Sequence, residues 1–240
     1  MLNLIKSAIC CTHPVIWLPP KSVKSSENTA PMRYTISDIH GCLKTFRALL
    51  DELKLDRNDE LFLLGDYIDR GPDSQGVIDL IWKLTEDGYN VKCLRGNHEE
   101  MLLEAARREH DFYQWKPASR DHDKVTAWMT TLPFYFETPG YILLHAGLNF
   151  HHHYPLKDTR EMLYIRYFYD TIDYQWLGDR IIVHGHTPAR MLEVKKDIQD
   201  MNTNQYACID SGCSQVVEGM GYLTELNLDT GAATFMRSRD

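Results

Sequence analysis

No apolar stretch in the 240 residues approaches the ~20 consecutive residues that a membrane-spanning helix needs, so no membrane association and a cytoplasmic setting are expected. A long run of Lys or Arg is missing too. Acidic residues outnumber basic ones by 34 to 26, for a formal charge of -8. A protein that neutralises a nucleic-acid backbone needs the opposite balance, so nucleic acid is not expected as its main partner. Any phosphate it handles must be met locally. Cysteine is sparse and scattered: the six residues contain no CxxC pair. That spacing gives no support to a structural zinc site or a disulfide framework, and buried, reduced thiols are expected instead.

What is present is enough apolar sequence, 43%, to bury one sizeable core. Residues 1–31 differ from the rest. They carry a short apolar run broken by Thr12, His13 and Pro14, without a clean small-residue cleavage site, and are expected to form a disordered leader. One domain is expected over residues 32–240, since Met32 opens the first strand pattern directly.

From there, short apolar strands alternate with helices. "RYTIS" (Arg33 to Ser37), "ELFLLG" (Glu60 to Gly65) and "NVKCLRG" (Asn90 to Gly96) read as strands. Between them Leu43, Phe46, Leu49, Leu50 and Leu53 recur at helical spacing, and "SQGVIDLIWKLTEDG" predicts a helix closing on Gly88. This βαβαβ order predicts a parallel sheet whose strand C-termini gather their loops on one edge. "YILLHAG" and "RIIVHGHT" end two further strands on histidines.

Three of those edge loops carry the residues that matter: "SDIHG" (Ser37 to Gly41), "GDYIDRG" (Gly65 to Gly71) and "RGNHE" (Arg95 to Glu99). A single Asp after a strand usually caps a helix or forms a turn, and a lone His is usually satisfied structurally. Five strand ends carrying Asp, Asn or His beside Gly are not independent accidents. Oxygen and imidazole donors converging from separate strands form a cage for hard or borderline divalent cations.

In order and spacing, "DIHG … GDYIDRG … RGNHE … HAG … GHT" resembles the phosphoprotein phosphatase family of calcineurin-like metallophosphoesterases, especially its short bacterial members, over Met32 to about Gly212. The resemblance implies an α/β fold, a four-layer α/β/β/α sandwich with a dinuclear centre between its sheets. It implies that Asp38 and His40 bind the first metal, that Asp66 bridges both, and that Asn97, His145 and His186 complete the second. His184 would support His186 from behind. Arg70, Arg166 and Asn97 would contact substrate, and His98 with Asp69 would act as the general-acid pair. The cofactor implied is two divalent ions, manganese first, with iron or zinc also suited to mixed oxygen and nitrogen ligands.

The activity implied is a metal-dependent phosphomonoesterase, a serine/threonine protein phosphatase acting by in-line attack of a metal-bridging hydroxide on a phosphoprotein or small phosphorylated substrate. The alternative is symmetrical dinucleoside tetraphosphate hydrolysis; those enzymes share the metal motifs but usually carry an uncharged residue where this chain has Asp69. Ser37 and Ala146 also depart from common family glycines, without touching a ligand position.

Other features are expected to be structural. "HHHY" (His151 to Tyr154) reads as a solvated cluster. The insert from His110 to Phe136 reads as a helical excursion that packs Trp128 and Met129 on the core, or as a substrate lid using Tyr113, Trp115 and Arg120. The C-terminal third predicts short strands around an "LDTGA" hairpin, forming the second sheet with "YILL" and "RIIV". Asp210 and Cys213 are expected to be structural.

Overall fold

The computed structural model describes residues 15–17, 30–108, 115–118 and 121–240. Three strands form a parallel trio: β2 (Arg33–Ile36), β3 (Glu60–Leu63) and β4 (Asn90–Cys93). The crossovers between them are α1 (Leu43–Leu53) and α2 (Ser74–Glu86), and α3 (Asn97–Arg108) follows β4. Asp73 starts α2 by accepting the Gly76 amide at 2.8 Å, and Gly88 follows its end at φ 87°.

The period-2 alternation of these strands sorts their side chains into two cores. Tyr34, Ile36, Leu61 and Leu63 meet Phe46 and Leu49 of α1 and Val77, Ile78 and Ile81 of α2. Phe62 and Leu64 point the other way, into a core shared with Tyr141, Leu143, Ile181 and Val183. Those four belong to the second sheet, where β5 (Tyr135–Thr138) pairs antiparallel with β6 (Tyr141–Leu144), and β7 (Ile181–His184) and β8 (Tyr206–Cys208) run parallel to β6. The outer face of that sheet, through Ile142, Leu144 and Ile182, packs on Met162 and Leu177, which lie in α5 (Thr159–Tyr164) and α6 (Tyr174–Leu177). The layers are therefore helix, sheet, sheet, helix.

Two placements differ from the sequence expectation. The C-terminal strands β9 (Tyr222–Asn227) and β10 (Ala233–Arg237) join the first sheet rather than the second, β9 antiparallel to β2 and β10 antiparallel to β9. The reason is their two apolar faces. Leu223 and Met236 fill the helix-side core while Leu226, Ala233 and Phe235 fill the core between the sheets, so the pair needs cover on both sides. The hairpin itself turns at the "LDTGA" residues, with Gly231 at φ 69° donating to Asn227 O.

The excursion after α3 is also shorter than expected. It contains α4 (His122–Thr131), which buries Val125 and Met129 and sets Trp128 against Trp82 and Tyr67, but Tyr135 and Phe136 already belong to β5. Within the stretch expected as a disordered leader, β1 (Val15–Trp17) pairs with the free edge of β10. The rest of residues 1–29 lies outside the described residues. Among the described residues no helix is long and apolar enough to cross a membrane.

Candidate metal centre

Five strands of the two sheets deliver the expected residues to one place. β2 ends before Asp38 and His40, β3 before Asp66, β4 before Asn97, β6 before His145 and β7 before His186. All six are buried, none more than 7% exposed. Four of them, with His98, form two clusters that share Asp66: Asp66 with His40 and His98, and Asp66 with His145 and His186. One carboxylate oxygen of Asp66 lies 3.4 Å from His40 Nε2, and the other lies 3.5 Å from His145 Nε2.

Backbone contacts fix which ring nitrogen is free. His40 Nδ1 lies 2.9 Å from Ile68 O, and His145 Nδ1 lies 2.9 Å from Leu64 O. A carbonyl only accepts, so each Nδ1 carries the proton and each neutral ring turns its Nε2 lone pair into the site. Burial favours the neutral rings, holding His145 below and His40 well below the usual range, and taking His186 down to about 3 with help from the charges of His145 and Arg166. His184 is different. Its Nδ1 faces Gly185 O at 3.0 Å and its Nε2 lies 3.2 Å from the Tyr169 hydroxyl, so both nitrogens are engaged away from the cluster.

This donor set fits a cation. His145 Nε2 and Asn97 Oδ1, both lone-pair donors once His145 Nδ1 is protonated, stand 2.9 Å apart with Asp66 alongside. His186 Nδ1 lies 2.9 Å from the same amide oxygen, while its Nε2 is buried without a hydrogen-bond partner. Burial also raises the pKa of the carboxyls packed here: Asp38 to about 6, Asp66 upward, and Asp210 well upward. Crowded lone pairs and desolvated carboxylates of this kind call for divalent positive charge between them. Asp38 borders the second cluster, accepting the His186 amide at 3.1 and 3.2 Å and the Ser37 hydroxyl. Gly185 is required where these loops meet, because an added Cβ would overlap Ser37 Oγ and Asp38 Oδ2.

The remaining expected residues rim the cluster. His98 Nδ1 donates to Asp69 Oδ2 at 2.5 Å, and its Nε2 faces Arg70 Nη2 at 3.4 Å and Asp66 at 3.9 Å. Burial works against the His98 imidazolium, but the Asp69 hydrogen bond and the charges of Asp66, Asp69 and Glu99 outweigh it, and the His98 pKa is raised. Arg70 is solvent-exposed, as is Arg166, whose charge is felt by His186. Of the proposed lid contacts, Trp115 is part-buried against the helix-side core, whereas Tyr113 and Arg120 lie outside the described residues. His151 and His152 are exposed and join neither cluster. Asp210 accepts the Gly212 amide at 2.8 Å and feels the charges of Asp38, Asp66 and Arg70.

Glu99 closes the "RGNHE" motif, and the sequence alone points to no role for it. Fully buried, it accepts the amides of Asp66 (2.9 Å), Tyr67 (2.9 Å) and Gly96 (2.8 Å), tying the β3 and β4 loops together. Its three partners are main-chain groups, which leave no pattern in the sequence.

The chain is similar to known proteins. At 37% identity, 122 residues match the symmetrical bis(5'-nucleosyl)-tetraphosphatase of Aromatoleum aromaticum, covering 48% of this chain and 44% of that protein, so the match spans under half the relative's length. A solved structure of a candidate diadenosine tetraphosphatase superposes with a TM-score of 0.65 at 22% identity, covering 89% of this chain and 96% of that one. A Saccharomyces cerevisiae serine/threonine phosphatase superposes with a TM-score of 0.68 at 17% identity, covering 88% and 81%. Likeness at these identities speaks to fold alone. The family model described as calcineurin-like phosphoesterase matches residues 34–219, a span that starts in β2 and takes in every loop that contributes to the cluster, and the chain thus belongs to the calcineurin-like phosphoesterase family.

Proposed function

We propose that the chain is a metal-dependent hydrolase of small phosphorylated substrates, with a dinucleoside tetraphosphate as the first substrate to test. The observation that carries the hydrolase reading is the single buried carboxylate, Asp66, whose two oxygens face His40 Nε2 on one side and His145 Nε2 on the other. The substrate class rests on the name carried by the sequence relatives, symmetrical bis(5'-nucleosyl)-tetraphosphatase.

In this reading Asp38, His40 and Asp66 hold one divalent ion, and Asp66, Asn97, His145 and His186 hold the other; manganese is proposed, and iron or zinc suits the same donors. The two ions, when bound, lower the pKa of water from ~15.7 toward ~7 and neutralise phosphoryl charge. The protein's own groups do the rest. Arg70 and Arg166 grip phosphoryl oxygens, Arg70 through its planar fork. His98, held by Asp69, gives its Nε2 proton to the leaving oxygen as the bond to phosphorus breaks, an effect of ~10²–10⁴-fold where the leaving group is basic.

That pair favours a second reading, a serine/threonine protein phosphatase. A departing alkoxide needs a proton, whereas a departing phosphate with a second ionisation near pKa ~6 leaves with less help. Rates of the Mn²⁺-loaded protein on diadenosine tetraphosphate and on a phosphoserine peptide, with an aryl phosphate as control, separate the two. A kcat/KM preference for the dinucleotide supports the first reading, and preference for the peptide replaces it with the second. Failure on all three would sink both.

A further inference from the structure

We propose that the main-chain N–H of Trp115 is a positioning group for the proton donor, completing an amide, carboxylate, imidazole relay from the insert into the site. The proposal rests on the reading of His98 as that donor.

Both oxygens of Asp69 are committed. Oδ2 accepts His98 Nδ1 at 2.5 Å and Oδ1 accepts the Trp115 amide at 2.9 Å. The backbone of Asp69 is fixed as well, at φ 69° with its own N–H on Ser74 Oγ at 2.9 Å. Three separate pieces of chain therefore hold this residue: His98 in α3 and the segment that precedes α4 hold its carboxylate, and the first residue of α2 holds its backbone. A carboxylate anchored at the ring end alone is free to turn about its last torsion and take the imidazole with it. The second anchor removes that freedom, and His98 Nε2 stays directed at the space beside Asp66 and Arg70.

The placement of the amide is itself explained by packing. The Trp115 side chain lies against the helix-side core that also holds Val125 and Met129 of α4 and Phe46 of α1. The indole anchors the segment and the amide does the positioning. The insert thus reaches the chemistry through its backbone. Any residue but proline supplies such a donor, so the role has no side-chain signature.

The test separates N–H from side chain in the full-length, Mn²⁺-loaded protein. Trp115 is replaced by its α-hydroxy analogue, which keeps the indole and turns the amide into an ester, while Trp115→Ala keeps the amide and removes the indole. Each is assayed on an alkyl phosphate, with a basic leaving group, and on an aryl phosphate, with an activated one. The ester variant is expected to lose ~10- to 100-fold in kcat on the alkyl phosphate, the scale of one hydrogen bond to a charged group, with little change on the aryl phosphate. Trp115→Ala keeps the N–H but loosens the segment that carries it, so its loss on the alkyl phosphate should be smaller than that of the ester variant. Trp115→Pro deletes the same N–H by a second route and must show the same selective loss.

An unchanged ratio in the ester and proline variants, or an equal loss on both substrates, overturns the proposal. His98→Asn, run in parallel, keeps the two claims apart. Equal losses on both substrates in His98→Asn would remove the proton-donor reading itself. A selective loss in His98→Asn without one in the ester variant would remove only the Trp115 relay.

Discussion

Six non-glycine residues of this site sit at positive φ: Asp38, His40, Asp66, Asp69, Arg70 and His186, between 47° and 70°. The other two among the described residues, Lys54 and Gln205, simply end α1 (Leu43–Leu53) and α7 (Met191–Asn204). Left-handed backbone at a non-glycine residue stores ~1–3 kcal/mol, and it persists only where surrounding contacts over-determine it. Glu99 supplies such contacts, with three amide donors on two carboxylate oxygens. Glu99→Gln replaces one acceptor oxygen with an NH₂ that faces an N–H, so it should destabilise the fold by ~1–3 kcal/mol, seen as a lower urea midpoint at unchanged slope. Asp66→Asn tests the shared corner. Its metal content should fall and its rate drop at least ~100-fold, the upper range seen when a ligand's supporting partners are lost; normal metal with normal rate would refute the bridging role. Residues whose side chains meet in the cluster, such as Asp66 and His145, are legible from chemistry and spacing. Glu99 and the Trp115 amide are not, because their partners or their own active groups belong to the main chain.

Elements were legible where their periodicity answered to one clear environment. The β2, β3 and β4 trio and helices α1 and α2 follow the expected apolar spacing, but β9 and β10 were assigned to the wrong sheet because strands covered on both faces carry no alternation that says which sheet covers them. Their place in the first sheet buries an acid there. Glu225 on β9, 2% exposed, leaves Oε1 without a partner, its other contact being Thr234 on β10, and burial pushes its pKa up to about 8. The folded state therefore binds a proton that the unfolded chain, at 4.5, releases. Stability from this group is complete below about pH 4.5 and is lost as pH rises toward about 8, at up to ~1.4 kcal/mol per pH unit. Glu225→Gln removes that slope. Urea midpoints at pH 5.5 and pH 8 should show the variant gaining on wild type at the higher pH, and parallel pH dependences would contradict the buried-acid assignment.

At the scale of the whole molecule, the site is where two independently built sheets meet. Asp38, His40, Asp66 and Asn97 are carried by loops of the first sheet, and His145 and His186 by loops of the second. Among the described residues the metal-free contacts between these loops are polar: Asn97 Oδ1 facing both imidazoles, His186 N–H on Asp38, His145 Nδ1–H on Leu64 O, and Asp66 beside His145. Elsewhere the sheets are joined by an apolar core of Phe62, Leu64, Leu143, Val183, Leu226 and Phe235. Divalent ions at the cluster would therefore act as a staple across that interface, in addition to their chemistry. A ligand that binds only the folded state stabilises it by ~2.7 kcal/mol at a hundredfold excess over Kd. Adding Mn²⁺ to chelator-treated protein should then raise Tm by several degrees, in a concentration-dependent way, and added chelator should reverse it. Asp66→Asn should abolish the Mn²⁺-dependent rise, since it removes the carboxylate common to both clusters, whereas Glu225→Gln should keep it in full, since its site lies within the first sheet. A Tm that ignores Mn²⁺ in the wild-type protein would mean that the two sheets are held by their apolar core alone.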